Sequence, residues 1–161
     1  MSVFGASSRR DFDPDVTKPG QNGVYYVASS DLGRLASRAA SEELRVCRID
    51  LGNCGSKHEL LTRLGSALEL PDGFADNWDA LADGLRDLRW LPAWGYVLLF
   101  DQADDLRRVA EADFDVLLGI LDDAATFGSD NDTPWFAFLA LPDATDLHAI
   151  EPGAAGSTAG T

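Results

Sequence analysis

LPDGFADNWDALADGLRDL, residues 70–88, gathers five aspartates and one arginine into what otherwise reads as a short amphipathic helix. Asn77 is a good N-cap, because its side-chain oxygen can accept a bond from a free backbone N–H of the first turn. Turning about 100° per residue from there brings Trp78, Leu81, Leu85 and Leu88 within an arc of about 80°. Asp76, Asp79, Asp83 and Asp87 fall within another arc of about 80° nearly opposite, when the rotation is extended back to Asp76. One face is therefore expected to pack and the other to form an outward carboxylate ridge. Local electrostatics account for Asp79, which sits at the positive end of the helix dipole, but not for Asp83 in mid-helix or Asp87 near the negative end. Aspartate is a poor helix former, and like charges one turn apart repel. A helix that gives up local stability for a ridge of one sign is suited to steering and docking a cationic surface.

The rest of the chain supports that reading. Its 161 residues and 17.3 kDa suit a single core, and 45% hydrophobic with 25% charged residues is an ordinary globular composition. The net charge of −14 opposes binding to nucleic acid or to an anionic membrane and permits a basic partner. Residues 21–71 carry six acids and six bases, whereas residues 72–132 carry 15 acids and four bases, so one half of the domain is acidic. No apolar run approaches the roughly 18 residues of a membrane span. The opening MSVFGASSRRDFDPD has acids where a secretory signal needs an apolar segment, which predicts a cytoplasmic protein. Cys47 and Cys54 form no CxxC pair and read as buried thiols, although two cysteines always allow one bridge.

Periodicity predicts strands at 23–29, 44–51, 94–100 and 134–141, and helices at 31–43, 56–70 and 112–128, the last ending near Gly128. Ser56 with Glu59 three residues on is a capping box. In 44–51, Cys47, Ile49 and Leu51 share one face, with Arg48 and Asp50 on the other. Strands alternating with helices imply an α/β fold with a mainly parallel sheet packed by helices. Residues 1–20 and 143–161 lack periodicity and read as disordered tails, which leaves a domain at 21–142.

Catalytic and metal chemistry find little support. His58 lies in a helix-capping region and His148 in the C-terminal tail, with no nucleophile or base partner evident for either. GxGxxG, P-loop, GxSxG and HExxH motifs are absent. DFDPD at 11–15 starts like a calcium loop, but Val16 and Asn22 occupy the positions that need Gly and Glu. Asp104–Asp105, Asp122–Asp123, Asp130 and Asp132 read better as caps, turns and solvated faces than as an oxygen ligand set. The four tryptophans, Trp78, Trp90, Trp94 and Trp135, are expected in the core or at its edge. The expectation is a protein without cofactor, metal or catalytic activity.

PDGFADNWDALADGL also resembles the signature of the barstar family, in Pro71, Phe74, Asn77, Asp79, Ala80, Leu81, Asp83 and Leu85. The order of elements agrees from about residue 44 to 142, including a short helical piece near DLRRV, and leaves 21–43 as a strand-helix addition. The resemblance implies a barstar-like fold of three to four strands. It further implies an intracellular inhibitor of a secreted-type basic ribonuclease, bound 1:1, with a role in bacterial immunity. Asp79 and Asp83 match the family's contact aspartates, with Asp83 standing in for substrate phosphate. Asp76, Phe74 and Asp123 are further contact candidates, Asp123 if Gly128 anchors the register. Gly73 and Ala82 stand where family members place aromatics, so contact area is lost there, which predicts a different cognate nuclease or a weaker regulatory contact. The alternative is an interaction module on the same fold that has lost inhibition.

Overall fold

The computed structural model describes residues 14–71, 73, 77–88 and 91–141. Four strands, β1 (Gly23–Ala28), β2 (Arg45–Asp50), β3 (Tyr96–Asp101) and β4 (Trp135–Leu141), form one sheet in the order β1-β4-β3-β2. Every neighbouring pair is parallel. The helices are α1 (Leu32–Ser41), α2 (Lys57–Ala67), α3 (Trp78–Arg86), α4 (Ala103–Val109) and α5 (Glu111–Asp130). The α/β reading with a parallel sheet of four strands is borne out.

The strand order explains where the helices lie. The connection from β1 to β2 carries the chain from one edge of the sheet to the other, and the two later connections step back through β3 to β4. Parallel crossovers share one hand, so crossovers running in opposite directions across a sheet must cover opposite faces. Leu32, Leu35 and Ala39 of α1 accordingly pack with Val97, Leu99, Phe136 and Phe138 on one face. Leucines of α2, α3 and α5, among them Leu60, Leu64, Leu81, Leu85 and Leu117, pack with Leu98, Phe100, Ala137 and Leu139 on the other. Central strands covered on both sides are apolar throughout, as YVLLF and WFAFLAL are. On the edge strand β2 the predicted alternation holds, with Cys47 and Ile49 buried and Arg48 and Asp50 exposed. Arg48 makes two hydrogen bonds, of 2.7 and 2.9 Å, to the carboxylate of Asp101 on β3. Both thiols are free and buried, and burial pushes their pKa values up, which makes them poor nucleophiles.

Three boundaries differ from the sequence reading. Residues 14–20 are not tail: Val16 is 1% exposed in the cluster beneath α1, and Asp15 accepts bonds from Thr17 that turn the chain there. The other tail residues, 1–13 and 143–161, lie outside the described residues, as do Trp90 and His148. Helix α5 passes through Gly128 to Asp130, because Gly128 serves close approach rather than termination. A Cβ there would come within 2.9 Å of both the Thr133 carbonyl oxygen and the Trp135 Cβ. Finally, α3 stops at Arg86. Asp87 is its C-cap with φ −119° and ψ 87°, so Leu88 is buried beyond the helix and the acidic ridge is shorter than the rotation predicted.

Asn22 ties the start of β1 to the far end of the chain. Its Nδ2 donates to the carbonyl oxygens of Ala125 and Thr133 at 3.2 and 2.9 Å, and its Oδ1 accepts from the Trp135 backbone N–H at 2.7 Å. Asn22→Ala removes all three bonds, and at about 0.5–1.5 kcal/mol each it is expected to cost about 2–4 kcal/mol. Urea unfolding read by circular dichroism checks this against Gln21→Ala, whose side chain accepts one exposed bond from Asp15 and whose loss is expected to cost under about 1 kcal/mol.

Candidate partner-binding site

Helix α3 is held by its N-terminal end and its inner face. Asn77 caps it as expected, its Oδ1 accepting from the Ala80 N–H at 2.8 Å, and the Lys57 ammonium lies 6.0 Å from the Trp78 ring centroid. Leu81, Gly84 and Leu85 are buried, and α3 packs against α5. That leaves Asp79 and Asp83, one turn apart, on the exposed face.

Asp83 keeps 66% of its side chain in solvent and meets an Arg86 guanidinium nitrogen at 2.5 Å, also on α3. An ion pair this exposed contributes at most about 1 kcal/mol, so it orients the carboxylate without removing it from reach. Asp79 stands in the first turn, where the helix dipole favours it. Asp123 is exposed on α5, the helix packed beside α3. It shares a helical face with Val116 and Phe127, both exposed apolar residues. Ala82 is half-buried between the two aspartates in sequence, a short side chain on the flank of the ridge. Asp76 and Phe74 lie outside the described residues.

Gly73 has φ +95°, a region that side-chain-bearing residues rarely adopt, with nothing within 4 Å of the position of a Cβ. A side chain at this position would thus be opposed by backbone conformation, not by lack of room.

The acidic pair Asp104–Asp105 finds ordinary partners. Asp104, mostly buried, accepts from Arg107 at 2.8 Å and Arg108 at 2.9 Å, and Asp105 accepts from Arg108 and from the Asn53 N–H. Their sum is a local network at the start of α4. His58 is exposed, Trp135 is buried, Trp78 is half-buried, and Trp94 is largely exposed with its Nε1 donating to the Glu42 carbonyl.

A family model described as Barstar (barnase inhibitor) matches residues 44–140. No curated protein matches the sequence. Among solved structures, the chain is similar to one in the "Structure of Drosophila ORC bound to DNA", with 16% identity and a TM-score of 0.51. That similarity covers 90% of this chain and 38% of the other, and at such identity it speaks to the fold alone.

Proposed function

The chain belongs to the barstar family, and on that premise we propose that it is an intracellular inhibitor of a small, basic, secreted-type ribonuclease. It binds 1:1 in the cytoplasm and blocks the cationic active site with α3, in an immunity role. The observation that carries this reading is the outward pair Asp79 and Asp83 on a capped helix whose other face is locked into the core. A ribonuclease cleft must bind phosphate through guanidinium, ammonium or imidazole groups, and a carboxylate fixed on a helix offers those groups paired, charge-assisted bonds in place of substrate. The surrounding field favours the encounter, since 15 acids face four bases over residues 72–132.

The test is inhibition of RNA cleavage across a panel of small basic microbial ribonucleases, barnase among them, with stoichiometry from titration calorimetry. At least one member is expected to be bound 1:1 and silenced; a panel in which none is bound overturns the reading. The rival, a non-inhibitory interaction module, draws on Gly73 and Ala82, which remove aromatic contact area from the interface. It predicts that substitutions at Asp83 leave every partner contact intact.

A further inference from the structure

Beside the acidic face, between the C-terminal end of α3 and the C-terminal half of α5, lies a cleft of about 480 Å³. Leu85, Arg86, Asp87, Phe127, Asn131 and Trp135 are among the residues that line it. Trp135 is 2% exposed, yet its indole Nε1–H has no hydrogen-bond acceptor among the described residues. Buried tryptophan N–H groups normally find a partner, because a desolvated donor without one is costly. Phe127, 43% exposed, lines the same cleft as Trp135, so an apolar wall adjoins the residue that carries the unused donor. Arg86 and Asp87 bring charges of opposite sign, which gives the cleft no preference for a charged occupant.

Two connections join the cleft to the acidic face. Arg86 lines it while pairing with Asp83, and Phe127 lies one helical turn beyond Asp123 on α5. With Gly73 and Ala82 supplying no aromatic anchor, an interface that includes α3 has to find apolar contact area beside the helix, where this cleft lies. We infer that the cleft is a second anchor of the nuclease interface. It receives a loop of that partner bearing an uncharged side chain, with an apolar stem against Phe127 and an amide or carbonyl oxygen accepting from Trp135 Nε1. This inference rests on the inhibitor reading above.

The experiment uses the full chain and the nuclease it inhibits best in the panel. Trp135→Phe removes the donor and keeps an aromatic ring; Asn131→Trp crowds the cleft from an exposed position on its lining that belongs to neither core cluster. Each variant is expected to lose about tenfold in affinity, the worth of one good hydrogen bond. Asn131→Trp gives up an exposed bond to the Phe127 carbonyl and is expected to melt close to the parent, so its loss does not depend on Trp135→Phe folding well. In the 15N-labelled chain the Trp135 indole N–H resonance is expected to move downfield on complex formation. If Asp83→Ala abolishes binding while both cleft variants bind like the parent and the indole resonance stays put, the cleft inference is overturned and the inhibitor reading stands. If Asp83→Ala binds like the parent, α3 is not the element that blocks the nuclease, and the cleft at its margin falls with it.

Discussion

Asp83→Ala is expected to weaken binding of the inhibited nuclease by about 2–5 kcal/mol, roughly thirty-fold to several thousand-fold, while leaving the thermal stability of the free chain nearly unchanged. That range, drawn in part from the barnase–barstar complex itself, is the cost of truncating one member of a desolvated, hydrogen-bonded charge pair. Most of it comes from the partner, whose phosphate-binding cation is left buried without its counter-charge. In the free chain the balance is different. The Asp83 side chain is 66% exposed and its pair with Arg86 contributes at most about 1 kcal/mol, while alanine improves helix propensity by a similar amount. The separation of the two effects is what makes the result informative, since a substitution that merely damaged the fold would lower both. Asp79→Ala serves as comparison: Asp79 lies a turn nearer the N-terminus, where its loss also forfeits a few tenths of a kcal/mol of dipole stabilisation. Calorimetric titration with thermal melting of each variant checks the expectation. An affinity for Asp83→Ala within twofold of the parent excludes α3 as the decoy.

The features of α3 on which that expectation depends were readable from 70–88 because a helix writes its orientation in sequence with a period near 3.6 residues. Asn77 as cap, Leu81 and Leu85 inward, and Asp79 and Asp83 outward all followed from spacing. Its end was not readable: Asp87 and Leu88 continue the period, yet the backbone leaves the helix at Arg86. The Asp83–Arg86 pair at i,i+3 is the kind of contact that spacing alone could have found. In the sheet, YVLLF and WFAFLAL announced strands buried on both faces, but an apolar run does not name its neighbour. Nothing local says that β1 pairs with β4 rather than β2. The same holds for Asn22, whose bonds span more than 100 residues of chain, and for Val16, a lone apolar residue in a polar stretch that only the finished fold gives a place. The cleft at Trp135 depends on the packing of α3 and α5 above β4, so it too had no local signal.

Removal of residues 1–43 is expected to abolish cooperative folding, even though the barstar model matches only 44–140. The deletion takes β1, α1, Val16 and Asn22 together, and with them the cover of one whole face of the sheet. Val97, Leu99, Phe136 and Phe138, all 0% exposed in the intact chain, would face water. On the deleted side Tyr25, Leu32, Leu35 and Ala39 lose their burial as well, and the stacked rings of Tyr25, Phe136 and Phe138 lose their outer member. Burying a large apolar side chain is worth about 1.5–3 kcal/mol, so seven of them represent on the order of 10–20 kcal/mol, as much as the entire net stability of an ordinary domain. The deletion also turns β4 into a bare edge whose apolar residues and unpaired backbone groups invite association between chains. The expected result for the shortened chain is a broad, non-cooperative melt, binding of a hydrophobic dye, and aggregation at micromolar concentration, with loss of nuclease inhibition following from loss of fold. A sharp thermal transition within about 5 °C of the full chain would show that residues 44–161 hold their sheet without the second layer, and that the N-terminal strand and helix serve a purpose other than stability.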